Sequence, residues 1–151
     1  AAAVGGRAPA PVQGVRGLDE LLAAIDDAAD AGAFAVVKFY APWCRTCRAI
    51  KPKFDRLARD SPQHRFYEVD ASACKELIER CGVKTLPHVH VYADGGLLKE
   101  MCVTKTRFSA LEAELARLAA DRPGGADDVI GAVAHELQQL RAVGAGGGTR
   151  P

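Results

Sequence analysis

The chain has 151 residues, a formal net charge of +1 and five cysteines. This length predicts one domain with room for an apolar core. The small net charge gives no general attraction to nucleic acid, and no apolar run approaches the roughly 20 residues of a membrane-spanning helix. Because five is an odd number, a secreted disulfide framework is disfavoured and a reducing or redox-regulated compartment is favoured.

The first residues predict a disordered segment, a short strand and a helix. Residues 1–11, AAAVGGRAPAP, have neither an initiator methionine nor a signal-peptide pattern, which indicates the end of a processed or trimmed precursor. The segment PVQGVRG predicts a short strand, and Gly32 is placed to end the helix that follows. Apolar side chains recur at helical spacing in that helix: Leu18, Leu21, Leu22 and Ile25.

A buried strand and a second helix flank a pair of cysteines. Residues 34–40, FAVVKFY, form a β-rich apolar run that is typical of a strand buried on both faces. Cys44 and Cys47 follow this strand directly. The helix after them is marked by apolar residues and a proline expected to kink it: Ile50, Phe54, Leu57 and Pro52.

The next segments complete an α/β pattern. RFYEVD (65–70) predicts a buried strand, ACKELIERCG a short helix ending at Gly82, HVHVYADGGLLKEMCV a hairpin, and RFSALEAELARLAAD a helix. The resulting order is β-α-β-α-β-α-β-β-α. This alternation predicts parallel strands with right-handed crossovers, to which the last hairpin adds an antiparallel edge.

The C-terminal segment, residues 123–151, is predicted to lie outside the main domain of residues 12–122. It begins with a glycine-containing linker and ends in a disordered glycine-rich tail. Between them, apolar residues recur on one face of a predicted extra helix over 127–143. Such a face most often packs on its own domain, and docking to a partner is the alternative.

The position of the cysteine pair favours redox chemistry. A cysteine at the N-terminus of a helix has its thiolate stabilised by free N–H groups and the helix dipole. This position suits Cys44 as a nucleophile, and Cys47, one turn further in, as a buried resolving thiol. Arg45, Arg48 and Lys51 add positive charge that favours the thiolate.

Other uses of the pair have weaker support. Covalent haem attachment needs a histidine after the second cysteine, where Arg48 stands. A structural zinc site needs a second close pair of ligands, and Cys74 and Cys81 are too far apart. His88 and His90 share one face of a strand expected to be internal. We therefore predict no metal site and no cofactor, and two idle core cysteines remain an alternative.

The combination of FYAPWC-x-x-C, the element order and GVKTLP resembles the thioredoxin family over residues 12–121. VVKFYAPWCRTCRAIKPKF, LPHVHVY and LLKEMCV are most similar to the atypical cysteine- and histidine-rich thioredoxins of chloroplasts. The resemblance implies a thioredoxin fold, with a central mixed sheet flanked by helices. It also implies disulfide exchange with client proteins, including two-cysteine peroxiredoxins and light-regulated enzymes. The expected location is the chloroplast stroma or thylakoid surface, with the cytoplasm as the alternative.

The resemblance also implies roles for residues outside the pair. The bond before Pro87 should be cis, and Leu86 should offer its backbone to a substrate peptide. Trp43 should shape the substrate surface beside the cysteines. An ordinary loop proline and a core tryptophan are the alternatives.

The chain departs from the family pattern at three places. Arg45 and Thr46 replace the usual glycine and proline, which predicts a less reducing couple. Lys38 stands where the family usually has a buried acid that accepts the proton of the resolving cysteine. A charged lysine cannot accept this proton, and the alternatives are a neutral, desolvated lysine or a pair with an unidentified acid. Val103 stands where many members have a glycine, and is expected to narrow the substrate groove.

Two readings of the function therefore remain open. The first is a disulfide oxidoreductase that uses Cys44 and Cys47. The second is a non-catalytic scaffold or assembly subunit, in which Lys38 reflects relaxed catalytic demand and the C-terminal helix docks. The remaining thiols, Cys74, Cys81 and Cys102, are expected to be idle, with regulatory oxidation of Cys74 and Cys81 as the alternative.

Overall fold

The structure, a computed structural model, describes residues 11–122. The predictions for residues 1–10 and 123–151, including the helix over 127–143, lie outside this part of the chain. The chain divides into two compact units, Ala1–Ala113 and Glu114–Pro151. The first unit contains the sheet and the candidate site.

The element order matches the sequence prediction. The strands and helices are β1 (Val12–Val15), α1 (Leu18–Asp30), β2 (Ala35–Tyr40), α2 (Arg45–Asp60), β3 (Arg65–Asp70), α3 (Lys75–Cys81), β4 (His88–Ala93), β5 (Gly96–Cys102) and α4 (Phe108–Asp121), with one turn of 3-10 helix at Lys105–Arg107 before α4. Among residues 11–122, no helix is both long and apolar enough to cross a bilayer.

The five strands form one mixed sheet in the order β1-β3-β2-β4-β5. The first three strands are parallel, and β4 is antiparallel to β2. The prediction that strand–helix alternation makes β4 parallel is therefore wrong. The seven residues of α3 span only about 10 Å, half the length of a six-residue strand of about 20 Å, so this helix by itself does not carry the chain back along the sheet. The chain enters β4 at the end of the sheet where it left β3.

The sheet is buried on both faces at its centre. Val37 and Phe39 of β2 belong to a core cluster with Leu21 and Ile25 of α1 and Leu77 of α3. On the opposite face, the ring of Phe54 in α2 packs edge-on against Phe66 of β3, with centroids 5.5 Å apart. Because helices pack against both faces of the sheet, β2 is apolar along nearly its whole length.

One detail of the helices differs from the sequence prediction. Leu22 does not belong to the buried face of α1, because half of its surface is exposed while Leu21 and Ile25 are buried. The buried stripe continues instead through the small side chains of Ala24 and Ala28. Pro52 lies inside α2, and the kink expected there stays a prediction.

Candidate active site

Cys44 occupies the position that caps the N-terminus of α2. Its backbone is extended, and its Sγ accepts a hydrogen bond from the backbone N–H of Cys47 at 3.2 Å. The Cys44 N–H donates to the carbonyl of Ala41 at 3.1 Å, which fixes the turn between β2 and α2. An N–H group aimed at sulfur stabilises negative charge there, and the half-buried side chain remains accessible.

Cys47 lies one turn inside the helix and is 3% exposed. Burial, followed by its hydrogen bond with Cys44, raises the pKa of the Cys47 thiol to about 11. The thiol is therefore protonated at neutral pH. The two sulfurs thus differ as the sequence predicts, with the outer one accessible and the inner one held as a protonated thiol.

A cavity of about 200 Å³ lies behind the cysteines. Its lining comes from the end of β2, the turn after it, the first turns of α2 and one residue of β3: Lys38, Tyr40, Ala41, Pro42, Cys47, Arg48, Lys51 and Glu68. The cavity therefore connects the inner thiol with two buried or half-buried charged groups.

Lys38 is paired with Glu68, the acid that the sequence analysis left unidentified. The Lys38 Nζ lies 3.3 Å from the Glu68 Oε2 and 4.8 Å from the centre of the Phe54 ring. Lys38 is 1% exposed, and burial lowers the pKa of its ammonium group, while Glu68 opposes this shift. The pair follows directly from the parallel register, because Lys38 of β2 lies opposite Glu68 of β3.

A signal for Glu68 was present in the sequence. AVVKFY and RFYEVD each have a charged residue at the fourth position, between apolar or aromatic neighbours. Two parallel strands paired without an offset bring these positions together. Neither strand by itself reveals the pair, because it forms only between two neighbouring strands.

The positively charged residues around the pair have different surroundings. Arg48 donates from Nη1 to the carbonyl oxygen of Pro42 at 2.9 Å, so its guanidinium group braces the turn that carries Cys44. Arg45 is exposed at the first residue of α2, and Thr46 is half-buried. The expected effect of Arg45 on redox potential remains a prediction.

Pro87 and Leu86 lie at the same end of the sheet as the cysteine turn. The Leu86–Pro87 bond is cis, as the resemblance implies. His88, which follows Pro87, pairs with Phe39 near the end of β2, from which the chain continues to Cys44. Pro87 is buried, and its carbonyl accepts a hydrogen bond from Val103 N–H at 3.1 Å.

The exposure of the Trp43 and Val103 side chains shows which of them can face a partner. Trp43 is 72% exposed, so a role in core packing is excluded and its ring is available to a partner at the surface. Val103 is fully buried, and the expectation that its side chain narrows an open groove is therefore wrong. Its contribution at this place is the backbone bond to Pro87.

The other thiols lack the environment of Cys44. Cys74 precedes α3, and its thiol donates to the carbonyl of Arg16 at 3.1 Å. Burial raises the pKa of both Cys74 and Cys81, which keeps these thiols protonated. Cys102 ends β5, opposite His88. All five cysteines are free thiols.

The profile of the thioredoxin family matches residues 23–117, which is more than half of the chain. The chain belongs to the thioredoxin family. This family and its fold support thiol–disulfide oxidoreductase activity. The assignment also agrees with the mixed five-stranded sheet and the cis bond before Pro87.

Three relatives illustrate the similarity. Thioredoxin-like 2, chloroplastic, of Oryza sativa subsp. japonica is 33% identical over 77% of this chain and 56% of its own length. Thioredoxin-like 3-2, chloroplastic, of Arabidopsis thaliana is 36% identical over 56% of this chain and 44% of its own length. The X-ray structure of Fasciola hepatica thioredoxin superimposes with a TM-score of 0.65 at 26% identity, covering 70% of this chain and 97% of that one.

The chain thus spans about half the length of these two chloroplastic relatives. Their similarity supports a chloroplast location at the level of the family.

Proposed function

We propose that this protein is a thiol–disulfide oxidoreductase that exchanges disulfides with client proteins through Cys44 and Cys47. The observation that carries the proposal is the 3.2 Å hydrogen bond from Cys47 N–H to Cys44 Sγ at the start of α2. This bond supports a nucleophilic thiolate at the accessible cysteine.

The reaction takes place in two exchange steps. The Cys44 thiolate attacks one sulfur of the client disulfide, forming a mixed disulfide and releasing the other client sulfur as a thiolate, which takes up a proton. Cys47 then loses its proton and attacks Cys44 Sγ, which releases the second client thiolate. The client gains two electrons, and the protein is left with a Cys44–Cys47 disulfide.

The second step needs a proton acceptor, because the Cys47 thiol is protonated at neutral pH. We assign this role to the Glu68 carboxylate, which lines the same cavity as Cys47. The Nζ of Lys38 lies 3.3 Å from this carboxylate and keeps it oriented within the cavity. In this arrangement the acid and its cationic partner lie on neighbouring strands, and Lys38 does not itself need to accept the proton.

The surface around Cys44 supplies client binding in this proposal. Trp43 offers an exposed aromatic ring. At the same end of the sheet, the half-buried Leu86 offers its backbone, and the buried Pro87 positions it. The proposed clients are chloroplast proteins with disulfides or dithiols, including two-cysteine peroxiredoxins and light-regulated enzymes, in the stroma or at the thylakoid surface. The chloroplastic names of the relatives support this location.

Reduction of insulin with dithiothreitol as electron source tests the activity. We expect the wild-type protein to accelerate precipitation of the insulin B chain, and Cys44→Ser to return the rate to the dithiothreitol background. Cys74→Ser is the matched control, because Cys74 also precedes a helix, and it should retain the wild-type rate. A wild-type rate equal to the background would favour the scaffold function.

The docking role of residues 124–151 needs a separate experiment. A native pull-down with the full chain and with a chain ending at residue 123 compares the proteins retained by each. Loss of a stoichiometric partner from the shorter chain would support docking. Equal recovery from both chains would remove the reason for assigning that role to the predicted helix.

A further inference from the structure

A second group of ligand-type side chains lies on the hairpin of β4 and β5. His88 and His90 point to one face of β4, and Glu100 of β5 pairs directly with His90. Nitrogen atoms of the two histidines and a carboxylate oxygen of Glu100 all lie within 4.8 Å of one another. Residue spacing along the sequence does not reveal this group, because its third member belongs to the neighbouring strand.

Two nitrogens of this group have no hydrogen-bond partner among the described residues. They are Nδ1 of His88 and Nε2 of His90, and both atoms are buried. His90 is 1% exposed, and its Nε2 lies 3.4 Å from Glu100 Oε2 without the geometry of a hydrogen bond. A buried polar atom without a partner costs roughly 1 to 3 kcal/mol, so two such atoms in one place need an explanation.

The other nitrogen of His90 is held in place. Its Nδ1 lies 3.0 Å from the hydroxyl oxygen of Tyr92. In one tautomer, Nδ1–H of His90 donates a hydrogen bond to this oxygen. The Nε2 of His90 then presents a lone pair towards Glu100. A metal-binding histidine commonly has this arrangement, in which one ring nitrogen has a hydrogen-bond partner and the other presents a lone pair to the metal.

We propose that His88, His90 and Glu100 bind one divalent transition-metal ion, with zinc as the best match. Two imidazoles and one carboxylate are a ligand set that zinc accepts, with a fourth position left for water or an external ligand. The ion would give both unpartnered nitrogens a partner and would separate the His90 lone pair from the Glu100 carboxylate. This site is distinct from the dithiol.

The geometry allows the group to close around an ion. Zinc holds nitrogen and oxygen ligands at about 2.0 to 2.2 Å, so any two ligands must approach to about 4 Å or less. The Glu100 side chain is 57% exposed and can rotate inward. His90 supplies the fixed ligand, His88 is half-buried, and Glu100 leaves a route to solvent.

Metal titration of a Cys44→Ser, Cys47→Ser protein tests the proposal, because thiolates are zinc ligands and the dithiol would compete for the ion. We expect one Zn²⁺ per chain in competition with a chromophoric chelator, and a rise in the melting temperature with added zinc. With Co²⁺ we expect visible d–d absorption without a sulfur-to-cobalt charge-transfer band. A charge-transfer band would show that cysteines hold the metal and would overturn the proposal.

Single substitutions in that protein assign the ligands. Tyr92→Phe removes the hydrogen-bond partner of a ligand and should weaken zinc binding by roughly 10- to 100-fold. Glu100→Gln removes a ligand itself and should weaken zinc binding by at least as much. Glu79→Gln removes an equally accessible carboxylate on α3 and should leave binding unchanged. Because Glu100 is exposed, its variant should fold normally. Zinc affinity unchanged in Glu100→Gln and in His88→Gln, or no zinc binding at all, would refute the site.

Discussion

Two cysteines of this protein precede a helix, and their surroundings differ. Cys44, before α2, accepts a hydrogen bond from a backbone N–H. Cys74, before α3, makes no cap hydrogen bond, and its thiol instead donates a hydrogen bond to the carbonyl of Arg16. One sulfur is therefore placed to carry negative charge, while the other is placed to keep its proton. A helix N-terminus alone does not make a reactive thiol.

The nearby charges strengthen this difference. Around the Cys44–Cys47 pair, the Glu68 carboxylate is compensated by the ammonium group of Lys38. Around Cys74, burial raises the thiol pKa, and the carboxylates of Asp70 and Glu20 raise it further. The first region therefore tolerates a thiolate, and the second opposes one.

Removal of the Glu68 carboxylate should have the largest effect. Glu68→Gln leaves the buried Lys38 without its counter-charge, and breaking such a pair costs about 3 kcal/mol of unfolding free energy. Asp55→Asn is the control, because it breaks the more exposed Lys51–Asp55 pair of 3.5 Å and should cost less than about 1 kcal/mol. Urea unfolding monitored by circular dichroism measures both. Equal small losses would show that the buried pair does not stabilise this region.

Cys44 should be alkylated at least about tenfold faster than Cys74 at pH 7, because the thiolate is the reactive form. Burial raises the pKa of Cys74, so little of this thiol is ionised at pH 7. Its alkylation rate should therefore increase as the pH rises through the alkaline range. Iodoacetamide labelling followed by mass spectrometry of the peptides measures both rates. Equal rates at pH 7 would contradict the comparison.

The residues between the cysteines should have a smaller effect, on redox potential. Arg45→Gly combined with Thr46→Pro restores the usual family residues and removes a positive charge beside Cys44. We expect a potential more negative by about 30 mV, which corresponds to about 1.4 kcal/mol for a two-electron couple. Equilibration with dithiothreitol measures the shift, and Arg56→Gly, an exposed change further along α2, is the control. An unchanged or less negative potential would contradict the electrostatic explanation.

The sequence predicted those parts of the molecule that depend on local pattern. The apolar run of β2 and the position of Cys44 directly after it were enough to place a thiol at a helix start. The features that it missed depend on which strands are neighbours. Glu68 reaches Lys38 only through the pairing of β2 with β3, and the antiparallel direction of β4 depends on the short length of α3.

The most direct test of the central claim is the site at which a client disulfide is captured. Cys47→Ser removes the resolving thiol, so a mixed disulfide formed at Cys44 should accumulate with a disulfide-containing peptide or with client proteins from a chloroplast stromal extract. Mass spectrometry of the non-reduced adduct identifies the cysteine that carries it. We predict the adduct on Cys44, and its loss in Cys44→Ser, Cys47→Ser protein. An adduct on Cys74, or none under oxidising conditions, would contradict the assignment of Cys44 as the nucleophile.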